Sequence, residues 1–183
     1  FSQGESYWLN SVFKDKKIKD KIINPTINFR KGYESQENVF VEIAGKLKLS
    51  RVKARIAYKK AVRIQKEFET EIREIGRKAL EELRKEPEKF AIVLFGRPHN
   101  AFTNEANKGI PKKIATRGFM VIPYDMLEYE DEELMHPFKD SMHWEIGQKL
   151  LKASQLVYKD SALFAVYITN FLCAIDSFLV QHV

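Results

Sequence analysis

FAIVLFGRPHN, residues 90–100, is an apolar run of six residues that stops abruptly on glycine, arginine and proline. An uninterrupted apolar run marks a parallel strand buried on both faces, since a half-wetted antiparallel strand alternates instead. Two runs of the same texture follow, FMVIPYD at 119–125 and ALFAVYI at 162–168. Between the first two, the pattern predicts a short helix over 107–117. Pro111 sits where a first-turn proline is tolerated, and Gly118 follows as a stop. Between the second and third runs, EYEDEE (128–133) reads as a solvated loop or helix start. The spacing then predicts a helix from about Asp140 to Lys159, with Trp144, Gly147, Leu151, Ser154 and Tyr158 along one side. Strand, helix, strand, helix, strand is the order of a right-handed, Rossmann-like parallel α/β layer, here over 90–183.

Working back from Phe90, Pro87 ends a strongly helical stretch that begins at Ser50. Ala57, Ala61, Ile64, Phe68, Ile72, Ile75, Ala79 and Leu83 recur at threes and fours along it. A helix over about 50–86 spans roughly 50 Å, too long for a small domain to cover, so part of it is expected to pack on another subunit or further chain. An earlier helix is expected after Ser35, with Glu37 at its N-terminus and VFVEIAGKL as its apolar side. Before that, YWLNSVF reads as a short helix or an edge strand, KDKKIKDK as a solvated stretch, and Asn24-Pro25 as a turn. Residues 1–89 are therefore expected to form a helical segment, and 90–183 an α/β domain truncated at its C-terminal end.

Composition bounds the class. With 44% hydrophobic and 31% charged residues, the 183-residue chain reads as globular and soluble, and no apolar run approaches a membrane span. One cysteine excludes an internal disulfide framework and any four-cysteine metal site made by this sequence alone. It suits a reducing, cytoplasmic setting. The start at Phe1 and the absence of a leader pattern lead to the expectation of a piece of a longer protein. The net charge of +6 is uneven: residues 1–89 carry 22 Lys/Arg against 14 Asp/Glu, and 90–183 carry 9 against 11. The stretch Lys46–Lys66 has nine Lys/Arg and no acid, but apart from Tyr58 no aromatic to stack on bases. A solvated helix flank is the favoured reading, and nucleic acid is not an expected partner.

Open parallel sheets bind ligands beyond the carboxyl ends of their strands. Three segments qualify: GRPHN (96–100), PYDML (123–127) and TNFLC (169–173). The first unites Gly96, Arg97, Pro98, His99 and Asn100. Arg97 suits a carboxylate or phosphate, and His99 suits proton transfer or ligation; a turn closed by an Arg97 salt bridge is the bland alternative. It matches no phosphate-binding glycine motif. Asp125, Thr169, Asn170 and Asp176 are secondary candidates for the same cleft. Cys173 has three readings: an inert core thiol, a nucleophile served by His99 or His143, or an iron–sulfur ligand needing two or three further thiolates. His143 and Trp144 read as packing residues, and His136 and His182 carry no signal.

Taken in order, LFGRPHNAFTNEANKGIP, GFMVIPYDML, MHWEIGQKLLKAS and LFAVYITNFLCAIDSF resemble the 2-hydroxyacyl-CoA dehydratase-related domain of large CoA-substrate-specific enzyme activases. These are multidomain relatives of the activator of 2-hydroxyglutaryl-CoA dehydratase. The resemblance covers most of 90–183 and continues more weakly through Ala57, Ala61, Gln65 and Phe68. It implies stacked α/β units and a thiolate at Cys173 that helps hold a 4Fe–4S type cluster with cysteines from elsewhere. It also implies an activator module that hydrolyses ATP to drive electron transfer. The implied partners are other domains of the parent chain, dehydratase-type or activator-type subunits, and a second copy. Because a lone thiolate cannot hold a cluster, the chain alone is expected to have no catalytic turnover. This sequence departs from the family pattern at the cysteine, where Leu172, Ala174 and Ile175 replace glycines and a proline, and in the first loop, where His99 replaces a tyrosine. Glycines let a backbone approach a cluster. Their replacement supports an alternative: a non-catalytic scaffold or interaction domain whose cluster site has decayed.

Overall fold

A computed structural model of the chain describes residues 7–9, 11–13, 21–170 and 173–183. Most of KDKKIKDK, together with Phe171 and Leu172, lies outside the described residues, as does the side chain of Ile175. The fold divides into two compact units, residues 1–68 and 69–183, and the division falls inside one long helix.

In the first unit, residues 7–9 and 11–12 are helical, in agreement with one of the two readings of YWLNSVF. Two short 3-10 turns, Phe29–Lys31 and Tyr33–Gln36, lead into α1, Glu37–Lys46, where Glu37 occupies the first turn as expected. Leu49 N–H donates to Ala44 O at 2.8 Å to close that helix, and α2 then runs from Arg51 to Arg84. Tyr58 packs on Phe40 in a tilted ring contact with centroids 4.8 Å apart and donates its hydroxyl to Tyr33 O at 2.7 Å. Arg55 pairs with Glu37 and Lys66 with Glu34. Few apolar residues here are buried, Val41 and Ala44 among them, so these polar ties do much of the locating.

In the second unit the three apolar runs form β1 (Ala91–Phe95), β2 (Met120–Pro123) and β3 (Leu163–Tyr167), a parallel sheet in the order β2-β1-β3. Ala91 is level with both Met120 and Leu163. The helices between them are α3 (Pro98–Ala101), α4 (Asn104–Asn107), α5 (Ile110–Ala115), α6 (Phe138–Ser141) and α7 (Glu145–Lys159), and α8 (Ala174–Leu179) follows β3. Ala91, Val93 and Phe95 turn one sheet face into the core, where Leu150, Leu151, Ala153 and Val157 of α7 and Leu83 of α2 meet them. α5 packs on β2, with Pro111 in its first turn as expected. Phe90, Phe119 and Phe164 are a half-exposed aromatic group where the three strands begin, with centroids 5.3 and 5.1 Å from the Phe90 ring.

Three expectations are corrected. Residues Pro98, His99 and Asn100 are not loop but the turn α3, because Pro98 presets φ and lacks the N–H that a first turn leaves unused. The helix expected over 140–159 is broken: Met142 and Trp144 are extended, and α7 starts at Glu145. Gln148 Nε2 donates to Met142 O at 2.6 Å across the break. Tyr158 is 92% exposed and contributes nothing to the core, whose α7 residues lie around Leu150 and Val157 instead.

Gly76 sets how closely α2 approaches the chain after β2. A Cβ built there would lie 2.0 Å from Met126 O and 2.8 Å from Met126 C. Beside it, Arg73 reaches Leu127 O and Glu130, and its guanidinium sits 4.5 Å from the Tyr129 ring centroid. Glycine to alanine inside a helix ordinarily stabilises by up to about 1 kcal/mol. Here the sign reverses. Gly76→Ala is expected to destabilise the α/β unit by about 2 kcal/mol or more, as overpacking does, and urea denaturation followed by tryptophan fluorescence measures it.

Candidate functional site

The chain passes from central β1 outward to β2, then returns to pair β3 on the other side of β1. A doubly wound sheet opens its crevice at such a reversal, between the carboxyl ends of the strands that flank it. Here those ends are Phe95-Gly96-Arg97 and Tyr167-Ile168-Thr169. Ile168 N–H donates to Phe95 O at 2.9 Å, so the strands stay paired to the rim. Gly96 has φ +141°, and a Cβ on it would lie 2.5 Å from Ile168 O and 3.0 Å from Ala101 Cβ. Only glycine satisfies both conditions.

What the crevice holds is a carboxylate of the chain itself. Asp176, in α8, has no exposed surface. Its Oδ2 accepts from Asn170 N–H at 3.1 Å, Asn100 Nδ2 at 3.3 Å and an Arg97 terminal nitrogen at 3.3 Å. Its Oδ1 lies 2.9 Å from Arg97 Nε as a charge pair without hydrogen-bond alignment, neither atom having a hydrogen-bond partner. Arg97 is itself only 19% exposed along its side chain. Four segments therefore meet on one buried anion: the β1 end, α3, the β3 end and α8.

Tyr167, the last residue of β3, belongs to the same group. Its hydroxyl is buried with no hydrogen-bond partner, and burial, then the charge of Asp176, pushes its ionisation well above the ordinary tyrosine value, Arg97 opposing. An electrostatic interaction with Cys173 acts on it in the same direction, which places the thiol in this neighbourhood. Cys173 is half-buried and caps α8. Its N–H donates to Asn170 O at 2.9 Å, and its carbonyl accepts from Ser177 N–H and Oγ, each at 3.0 Å. Among the described residues no hydrogen bond joins it to His99 or His143, both exposed, and no three His, Cys, Asp or Glu side chains gather as a metal site.

The fold thus brings together Gly96, Arg97, Asn100, Asn170, Cys173 and Asp176. Pro98 is exposed on α3 and Thr169 is exposed on the rim. Asp125 stands apart from the group: burial raises its pKa, while its own backbone hydrogen bond and the charge of Arg73 oppose that. Two residues escaped the sequence reading. Tyr167 was legible only as the end of a strand. Asn107, 2% exposed, ties α4 to its neighbours by donating to Ala101 O and accepting from Gly109 N–H, each at 2.8 Å; an asparagine two residues before a glycine was the signal available for it.

Two expected outcomes test this geometry. Asp176→Ala leaves a largely buried guanidinium without its anion and is expected to cost about 3 kcal/mol, the lower end of the range for broken buried pairs because Arg97 keeps some water. Asp176→Leu combined with Arg97→Met is expected to recover much of that, and a double-mutant cycle by denaturant titration reads the coupling. Asp125→Asn is expected to change stability in a pH-dependent way. A carboxyl whose folded pKa is raised favours folding most when protonated and loses that contribution as pH rises through the folded value. The variant therefore melts with the parent at acid pH and above it once the pH passes the ordinary carboxylate range, as thermal unfolding at several pH values will show.

Among the described residues no helix is long and apolar enough to cross a membrane. No curated protein and no solved structure matches the chain. A family model described as the CoA enzyme activase uncharacterised domain matches residues 1–127. That span takes in the helical part, β1, the Arg97 turn and β2, and ends before Tyr167, Cys173 and Asp176. The match covers more than half of the 183 residues, and the chain belongs to the CoA enzyme activase uncharacterised domain family.

Proposed function

We propose that this chain is a CoA enzyme activase-related redox domain in which Cys173 supplies one thiolate to an iron–sulfur cluster completed by cysteines outside this sequence. The observation that carries the reading is the Asp176 anchor. It holds the first turn of α8 against the switch-point rim and so presents Cys173, half-exposed, three residues before a fully buried carboxylate. The donor set fits only as a contributor: one thiol, with no group of three ligating side chains among the described residues. Cys173 alone would bind the group from this chain, and a cluster so bound supplies one-electron chemistry at a potential set by its surroundings. This chain's own work is positional. Arg97, Asn100 and the Asn170 N–H fix Asp176, and Gly96 allows the two strand ends to close beneath it.

The wider assignment follows the same line. Other domains of a parent chain, or dehydratase-type or activator-type subunits, would bring the remaining thiolates, and ATP would act at a separate activator module. We place it in the cytoplasm, a setting that suits one free thiol and low-potential chemistry. A second reading, a scaffold or interaction domain with a decayed cluster site, is favoured by one observation: Arg97 and Asn100 are spent on Asp176 instead of facing an open cleft.

The two readings separate on iron. Anaerobic reconstitution of this chain alone is expected to leave substoichiometric iron and no cluster chromophore. The parent protein purified without oxygen is expected to carry a cluster that Cys173→Ser weakens or removes. Full iron content in that variant would leave only the scaffold reading.

A further inference from the structure

Helix α2 carries an apolar strip beside the side that bears Gly76 and Leu83. Ala57, Ala61, Ile64, Phe68 and Ile75 recur at spacings of four, three, four and seven. Apart from Glu71, which stands at the seam position between Phe68 and Ile75, that is a 3.5-residue period, the one by which a helix keeps a narrow seam against a second helix along its length. Both alanines are exposed, and Ile64, Phe68 and Ile75 are 50%, 52% and 48% exposed. Large side chains repeated in water at this spacing make a surface that monomeric proteins seldom keep open.

The charge along the same helix names the occupant. Residues 51–66 hold seven Lys/Arg and no acid, whereas 67–82 hold six Glu against three Lys/Arg. A second such helix laid parallel sets like against like. Laid antiparallel, it sets the basic half of each copy on the acidic half of the other. The apolar strip follows the same symmetry in two of its three layers. With a twofold axis through Lys66, Ile64 of one copy meets Phe68 of the other and Ala57 meets Ile75, while Ala61 meets Glu71. Lys60 then flanks Glu71 and Glu74 across the seam; Lys60 and Glu71 are exposed and share in no ion pair among the described residues, whereas Glu74 also pairs with Arg77 and Lys78 of its own helix. One patch that complements itself under a twofold rotation is an isologous interface, and it closes at two copies.

We infer that α2 is a dimerisation element, pairing antiparallel with the α2 of a second copy of this chain along Ala57–Ile75. The inference rests on strip and charge alone, and stands or falls independently of the iron–sulfur reading. Sedimentation equilibrium of the whole chain is expected to show a dimer, and Phe68→Glu, at an exposed position, to weaken it at least about tenfold with far-UV helicity unchanged. Lys60→Glu is expected to weaken it too, and Lys60→Glu with Glu71→Lys in one chain to restore it. This swap still decides the matter if Phe68→Glu perturbs the helix. In a Cys173→Ser background, mixing Ile64→Cys chains with Phe68→Cys chains is expected to give the mixed disulfide in preference to either symmetric one. A monomer at sub-millimolar concentration, an unaffected dimer in Phe68→Glu, no rescue by the swap, or preferential 64–64 and 68–68 disulfides would each overturn the proposal.

Discussion

A carboxylate with no exposed surface must be neutralised and hydrogen-bonded where it lies, and Asp176 meets that demand by recruiting Arg97, Asn100 and the Asn170 N–H from three other parts of the chain. The requirement works in both directions. Asp176 needs the cation, and Arg97, mostly buried, needs the anion. Together they join the turn after β1 to the helix after β3 across a sequence distance of 79 residues. Everything at the crevice takes its place from that pair: the β3 rim, the short helix α8 and the thiol at its start. A buried pair of this kind adds less net stability than its Coulomb energy implies, because both charges gave up water. What it does enforce is geometry, since any rearrangement that separates the two strands an unpaired charge in a dry place.

The same unit is braced from its other side by close backbone approach. Gly76 lets α2 come within van der Waals reach of the Met126 carbonyl, and Arg73, one turn earlier, covers Tyr129 and holds the Leu127 carbonyl. Tyr124 lies within aromatic contact of Phe95, Phe102 and Tyr129, which carries the core from the end of β1 to the chain after β2. Burial drives the ionisation of Tyr124 and Tyr129 upward, Arg73 opposing in each case, so both hydroxyls stay neutral there. This part of the unit is therefore tied together by contacts separate from those at the crevice.

Much of this was legible beforehand, and the reasons differ by element. β1, β2 and β3 announce themselves as short apolar runs with no polar alternation to confuse with helix, although only β1 is largely buried, and Phe164 and Ala165 of β3 are exposed. α2 is unmistakable from apolar residues at threes and fours with no proline before Pro87. The break at Met142–Trp144 was not legible, since Trp144, Gly147 and Leu151 satisfy helical spacing whether or not the backbone before Glu145 continues as helix. Arg97 was legible as a candidate for binding an anion. That the anion is Asp176 was not, because nothing in local spacing pairs residues so distant in sequence.

By itself, the sequence determined the class of the molecule: three apolar parallel strands linked by helices, a helix of exceptional length before them, a single thiol, and a positive charge gathered in the first half. These are local or compositional properties, decided by periodicity, backbone stereochemistry and residue counts. Tertiary structure alone decided the order β2-β1-β3, which makes the end of β1 a switch point, and with it the meeting of Arg97, Asn100, Asn170 and Asp176. It also decided that Asp125, an equal candidate on paper, faces the neighbourhood of Arg73 instead. The physical reason is that strand order and charge pairing are settled by competition among contacts distant in sequence, where the cost of leaving a charge dry and unpaired outweighs any local preference.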